Sequence, residues 1–413
     1  MFHDPFNGIA FFGAAMSSRL SGEIAFVIFP SELPMEATLM KIPRTAVVLQ
    51  GGGARGAYHV GVLRAVAEIT GARRSPFPII CGSSVGAINA ASIAVAANDF
   101  QRGTEHLSAL WRSLRCHAVY NADALSLLLS TGRLAGTMIF GYLGFSASGG
   151  LLDYEPLRQL LEREFRRSHL THAIRSKALH ALCITASSYE GGHAVTFFEG
   201  ADSIPDWHRA RRTGQRAQIE PMHILASAAL PFAFAPVHLD TGYFGDGALR
   251  STAPLSPAIR MGAERILVIG TRDTHLDTGP RPASKRGPTF GEVAGHSLDI
   301  LFNDNLEADY ERMDRINHTV SLIPEQRRKL TPLRVIESIL LSPSTDLRAI
   351  AKEHASDLPR PVRMLLRSAG AWGGDGRLES YLMFEPGYVG ALIDLGYVDT
   401  MAKVEQIRVF LRR

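Results

Sequence analysis

The run Thr45-Ala-Val-Val-Leu-Gln50 is short, apolar and β-branched, and it breaks off at Gly51-Gly52-Gly53-Ala54-Arg55-Gly56. A run of that kind bounded by glycine predicts a buried strand. Beyond the glycines, Ala57, Val60, Gly61, Leu63, Val66 and Ile69 recur at the spacing of one helix face. Phe77 to Cys81 predicts a second strand. It ends in Gly82-Ser83-Ser84-Val85-Gly86, and the alanine-rich stretch from Ala87 to Ala97 predicts a second helix. Strand, glycine turn, helix, strand, glycine turn, helix is a βαβ arrangement, which predicts a parallel sheet covered on both faces.

Residues 98–177 are expected to be helical. Within them, 134–152 carries no charge but five glycines, at 136, 141, 144, 149 and 150, too many for a stable lipid-facing helix. Buried core or a helix hairpin is the expectation there, with a lid or acyl-chain wall as the alternative. Asp153 reads as the N-cap of the next helix. Further strands are expected at Leu179–Thr185, Ala194–Phe198, near Val237, at Ile266–Thr271 and at Thr319–Ile323. Residues 272–291, rich in Pro, Gly, Lys and Arg, read as a loop. Residues 292–413 read as mainly helical, with a break at 359–376.

Composition narrows the classes. The chain of 413 residues has 46% hydrophobic and 20% charged residues, which excludes a disordered protein. A net charge of +4 is too small to imply nucleic-acid binding, so none is expected. Cys81, Cys116 and Cys183 are far apart and form no metal spacing. They read as small apolar residues in a reducing, cytoplasmic setting, and no metal or other cofactor is expected. Residues 1–43 read as an arm or an extension upstream of a start at Met35 or Met40 rather than a targeting signal.

The candidate chemistry lies in the two glycine turns. In a βαβ unit both leave the carboxyl ends of parallel strands, on the sheet edge where such folds bind ligands. Each also opens a helix whose N-terminal amides favour negative charge. Gly82-Ser-Ser-Val-Gly86 has the Gly-x-Ser-x-Gly form of a nucleophile elbow, with Ser84 at its centre. A helix N-cap is the plainer reading of Ser84, and Ser83 is the rival hydroxyl. Gly51–Gly56 matches Gly-x-Gly-x-x-Gly, but Arg73 and Arg74 stand where a dinucleotide site wants an acid. An oxyanion cradle makes better use of the three glycines. The partner base is expected in the tight turn Tyr243-Phe-Gly-Asp246-Gly247-Ala248. His59 is expected near but outside the site, and His238, His275, His296 and His318 cannot be placed from spacing.

Taken together, Gly51–Gly56, Gly82–Gly86 and Asp246-Gly247-Ala248 resemble the three signature blocks of patatin-like phospholipases. Gly150-Leu-Leu-Asp-Tyr-Glu-Pro-Leu157 and Ala226-Ser-Ala-Ala-Leu-Pro-Phe-Ala-Phe-Ala-Pro-Val237 resemble two further blocks of that family, in its order. The resemblance covers residues 44–272. It implies a three-layer α/β/α fold with a mainly parallel sheet and a Ser–Asp dyad. Ser84 would be the nucleophile and Asp246 the base. The amides of Gly51, Gly52 and Gly53 would form the oxyanion hole. Arg55 would fill a basic position, structural or catalytic, while Gly56, Gly82, Gly86, Gly247 and Ala248 would support the turns.

The expected organisation is therefore an arm at 1–43, a patatin-like domain at 44–272, a loop at 273–291 and a mainly helical extension at 292–413. The expected function is a serine lipid acyl hydrolase of phospholipase A or lysophospholipase type. The alternative is a non-catalytic module binding a nucleotide or acyl ligand through the glycine loop. A phospholipid or other lipid ester is the expected substrate. The run Arg209, Arg211, Arg212 and Arg216 reads as a solvated face, with peripheral membrane contact as the alternative. Arg360, Arg363 and Arg367, interleaved with apolar residues, give a similar amphipathic pattern.

Overall fold

The computed structural model describes residues 44–121, 150–231, 233–272 and 287–412. Its strands are β1 Thr45–Leu49, β2 Ile79–Ser83, β3 Ala181–Ser188, β4 Ala194–Gly200 and β5 Trp207–Arg209, followed by β6 Arg212–Arg216, β7 Val237–Leu239, β8 Gly242–Gly245, β9 Arg265–Ile269 and β10 Glu337–Leu341. They form one sheet in the order β10-β9-β1-β2-β3-β4-β6-β5, with β8 paired to the end of β3 and β7 to β8. From β10 through β3 every neighbouring pair is parallel. Antiparallel pairing enters at β3–β4, β3–β8 and β5–β6.

β1 is apolar at every interior position, yet its side chains part by the two-residue period of a strand. Val47 and Leu49 join Ile80, Leu182 and Ile184 in one core, while Ala46 and Val48 join Ile79, Cys81, Ala181 and Cys183 in another. Helices Ala57–Thr70, Val85–Val95, Phe100–Ser113, Pro221–Ala228 and Pro386–Met401 cover the first face. Helices Ser256–Arg260 and Asn305–Ser321 cover the second. This is the three-layer α/β/α arrangement, and covering on both faces is what permits a parallel sheet of unbroken apolar strands. The three cysteines are free and buried, with Cys81 and Cys183 opposite each other across β2 and β3.

Several expected elements differ. Thr319–Ile323 is not a strand, because residues up to Ser321 complete the Asn305–Ser321 helix. Leu306, Met313 and Val320, seven residues apart, line its buried face, and that helical seam outweighs a short β-branched run. The edge strand in this region is β10, parallel to β9. Residues 359–376 are not simply a break, since Arg360–Ser368 is a helix with Pro361 in its first turn, where a missing N–H costs nothing. β5 and β6 went unpredicted because their polar residues show no alternation. Tyr154, not Asp153, takes the N-cap position of helix Glu155–Glu164, although Asp153 still accepts the Glu155 N–H at 2.9 Å. Residues 287–412 contribute β10 and helices to the same body as β1–β9. The proposed arm, residues 134–149 of the uncharged segment, His275 and most of the 273–291 loop lie outside the described residues. Among the described residues, no helix is long and apolar enough to cross a membrane.

The helices Ala57–Thr70 and Pro386–Met401 meet backbone to backbone. A methyl at Gly61 would overlap the Ile393 carbonyl, and one at Gly396 would overlap the Tyr58 carbonyl. Gly61→Val should therefore force the helices apart and cost about 3 kcal/mol or more. Urea denaturation followed by circular dichroism measures that loss. A midpoint unchanged from wild type would contradict the close packing.

Candidate active site

β2 ends at Ser83, and the chain turns at Ser84 into helix Val85–Val95. Ser84 has φ 54° and ψ −133°, a conformation L residues rarely hold without support. The flanking glycines are required by space. A Cβ on Gly82 would overlap the Gly86 carbonyl, and one on Gly86 would overlap the Leu49 carbonyl. Support comes from Ser227: the Ser84 N–H donates to Ser227 Oγ at 3.0 Å, and the Ser227 hydroxyl donates to the Thr185 carbonyl at 2.6 Å. Ser227 is a lone hydroxyl in the apolar block 226–237, a signal that sequence reading could have used.

Asp246 follows β8. Its N–H donates to the Ala229 carbonyl at 2.9 Å, which ties it to the same block. Its Oδ1 accepts the Ala248 N–H at 2.8 Å, and its Oδ2 accepts the Ser84 hydroxyl at 2.5 Å. Gly247 has no room for a side chain, because a Cβ would overlap the Thr185 carbonyl. The carboxyl is 0% exposed, and among the described residues no cation forms an ion pair with it. Burial pushes its pKa from 3.8 up to about 7, while the bonds from Ser84 and Ala248 pull it down.

The glycine loop lies against this pair. A Cβ on Gly51 would stand 2.9 Å from Ser84 Cβ and 2.7 Å from the Phe302 ring. Gly52 has φ 152° and Gly53 φ 55°, both open to glycine, and Gly53 packs on the Tyr381 backbone. Gly56 packs on Val85, joining the two turns.

Arg55 points away from the pair and does not touch it. Its guanidinium donates to Ser380 Oγ at 2.9 Å, to Tyr381 Oη at 3.1 Å and to Asp299 Oδ1 at 3.2 Å, and it sits 3.9 Å over the Tyr381 ring. These contacts tie the glycine loop to the C-terminal helices. Gln50 donates to the Phe302 carbonyl and adds a second tie. Phe302, Tyr381 and Asp299 carry no motif in the sequence, so reading could not have found them.

The histidines stand apart. His59 is fully buried in helix Ala57–Thr70, and burial lowers its pKa to about 3, so it stays neutral. Its Nδ1 lies 3.3 Å from Asn89 Nδ2, which also donates to the Gly56 carbonyl at 3.0 Å. Asn89 accepts from Trp111 Nε1 at 2.9 Å. Asn89 thus holds the end of the glycine loop from behind. His238, His296 and His318 are exposed. Among the described residues, the Ser84 hydroxyl and the Asp246 carboxyl bond only to each other and to the Ala248 amide.

Beside Ser84 opens an apolar cavity of about 70 Å³. Val85, Trp111, Tyr120, Leu157, Phe234 and Phe384 are among its walls. At its rim, the end of the uncharged segment meets the 226–237 block: Leu152 N–H donates to the Ala233 carbonyl at 2.7 Å, and Gly150 packs on Phe234.

A model of the patatin-like phospholipase family matches residues 47–259. The chain belongs to that family. The family's name describes phospholipases, enzymes that cleave lipid esters. Among solved structures, VipD from Legionella pneumophila is 12% identical, with 88% of this chain and 67% of that one covered and a TM-score of 0.32. Human GIVD cytosolic phospholipase A2 is 12% identical, with 90% and 60% covered and a TM-score of 0.44. A chain of the ExoU–SpcU complex of Pseudomonas aeruginosa is 15% identical, with 82% and 70% covered and a TM-score of 0.25. This patatin-like chain therefore spans about 60% of the length of the human phospholipase it matches. No curated protein matches it.

The raised carboxyl fixes a sign for stability. The folded state holds the Asp246 proton more tightly than the unfolded state, so its contribution is present below about pH 4 and lost as pH rises through about 7. Asp246→Asn lacks this titration. The stability difference, variant minus wild type, should grow by about 3–4 kcal/mol between pH 4 and pH 8. Urea denaturation of both proteins across that range measures it, and a flat difference would contradict a buried, unpaired carboxyl.

Proposed function

We propose that this protein is a serine lipid acyl hydrolase of phospholipase A or lysophospholipase type, working through Ser84 and Asp246. The observation that carries the reading is the 2.5 Å bond from the Ser84 hydroxyl to the buried Asp246 carboxylate, at the mouth of an apolar cavity. A carboxylate in water is too weak a base for a serine hydroxyl; one held near pKa 7 is better matched to neutral pH.

In this mechanism Ser84 Oγ attacks the ester carbonyl as its proton passes to Asp246. Negative charge gathers on the carbonyl oxygen, stabilised by the amides of Gly51, Gly52 and Gly53 and by the N-terminus of helix Val85–Val95. The carbon–oxygen bond to the alcohol then breaks, and Asp246 returns the proton to that oxygen. Asp246 next takes a proton from water, whose oxygen attacks the acyl-Ser84 carbonyl; the proton goes back to Ser84 as the fatty acid leaves. The apolar cavity would shelter the acyl chain. The substrate is a lipid ester, and peripheral contact with a membrane would deliver it.

Ser84→Ala should lower p-nitrophenyl ester hydrolysis by about 10⁴-fold or more and abolish fluorophosphonate labelling in a variant that still folds. Wild-type turnover by the purified variant would refute the assignment. For the wild-type enzyme, kcat/KM should rise with pH, inflect near 7 and level off above, because the base acts ionised. His59→Gln should retain that profile; its loss in a folded variant would point to a histidine base.

Gly52→Val should slow hydrolysis by about 10²-fold or more, since a β-branched residue cannot hold the loop conformation and one oxyanion donor is worth about that much. Steady-state kinetics on the folded variant test this, and undiminished kcat would remove the loop from the proposed oxyanion hole.

A further inference from the structure

The basic run at 209–216 divides in the fold. Arg216 is committed to structure: it donates to the carbonyls of Gly200 at 3.1 Å and of Ala201 and Ile204 at 2.8 Å, and lies 5.2 Å from the centre of the Phe198 ring. Arg209 and Arg212 are a cross-strand pair closing the β5–β6 hairpin, with Ala210 and Arg211 as its turn. The Arg211 carbonyl accepts the Ala194 N–H at 3.0 Å, so this turn is clamped to the one that joins β3 to β4.

Between the two turns and Arg250 lies an open pocket of about 460 Å³. Arg209, Arg211, Arg212, Arg250, His193 and Thr213 line it, and among the described residues no carboxylate does. Like charges gathered opposite one another cost stability. Asp309 feels the charge of Arg212 and accepts the Leu255 N–H and an Arg312 N–H, each at 3.0 Å. The positive field extends beyond the pocket: Arg260 is lowered, by partial burial first and then by Arg209, Arg212 and Arg334. Arg211 also has φ 59°, where a two-residue hairpin turn ordinarily carries glycine or asparagine. The chain holds a large cation at a strained position on the pocket rim.

β2 and β3 run parallel, Ser83 opposite Thr185, so the β3–β4 turn emerges on the sheet edge that carries the Ser84 elbow. The arginine pocket opens on that edge too, since Arg212 pairs with Ala194 at the start of β4.

We infer that this pocket is a second ligand site, for the phosphoryl group of a phosphomonoester or pyrophosphate. Three acceptor oxygens carrying up to two charges suit several guanidinium forks converging from different strands, which one carboxylate would not satisfy. The inference uses neither Ser84 nor Asp246, so it stands or falls apart from the hydrolase reading.

The test uses the full chain. Calorimetry with inorganic pyrophosphate and co-sedimentation with phosphatidic acid vesicles, against pure phosphatidylcholine vesicles, separate a soluble from a lipid source. Three variants accompany wild type: Arg211→Gly, which relieves the turn and removes one guanidinium; Arg209→Gln with Arg212→Gln; and Arg73→Gln with Arg74→Gln, an equal loss of charge on a distant exposed loop. Saturable binding weakened roughly tenfold or more by the first two variants, and unchanged by the third, is expected. Pyrophosphate binding with that pattern identifies a soluble phosphate ligand; vesicle binding alone with that pattern identifies a lipid headgroup. If the double variant fails to fold, Arg211→Gly decides. Binding of neither probe, or equal losses from the pocket and the distant variants, would overturn the site.

Discussion

The structure turns on the burial of one carboxyl that pairs with no cation among the described residues. Asp246 is fully enclosed, and what it receives in place of a counter-ion is two hydrogen bonds, from Ser84 and from its own turn at Ala248. Burying a carboxylate on those terms is unfavourable, and the cost appears as its raised pKa. The same cost gives the group a basicity that an exposed aspartate lacks. The surrounding elements hold the arrangement in place: Ser227 supports the elbow, Ala229 holds the Asp246 amide, and the Thr185 carbonyl, which accepts from Ser227, leaves space beside it only for glycine at 247.

A second dependence runs through Arg55. Residues 299–302 and 380–381 belong to the part of the chain beyond the recognisable motifs, yet they frame the glycine loop. The Phe302 ring lies against Gly51, and the Tyr381 backbone lies against Gly53. The C-terminal helices are therefore part of the site's construction. Loops that must present their amides in fixed directions need such bracing, because glycine gives the backbone freedom but no rigidity of its own. Asn89 supplies bracing from the opposite side by holding the Gly56 carbonyl.

Much of the first half was readable along the chain. β1, helix Ala57–Thr70, β2 and helix Val85–Val95 follow the local period of apolar residues, and the glycines that interrupt it lie where a larger side chain would collide. β5 and β6 were not readable, because polar edge residues carry no alternation. The end of helix Asn305–Ser321 reads as a strand along the chain, because a short β-branched stretch resembles one until Leu306 and Met313 are seen packed against the sheet.

The sequence by itself determined the βαβ opening, the two glycine turns on one sheet edge and Ser84 as a candidate nucleophile, because these rest on local period and on residue types that few turns tolerate; Asp246 as its partner rested on the resemblance of three motif blocks to the patatin-like family. Only the tertiary structure decided that the pair meets at 2.5 Å, that Arg55 ties the loop to distant helices, that Arg216 leaves the basic run while Arg250 joins it, and that distant helices wall the apolar cavity. Those outcomes depend on contacts between residues up to several hundred positions apart. Local pattern carries no record of such distances, and only the packing of the whole chain sets them.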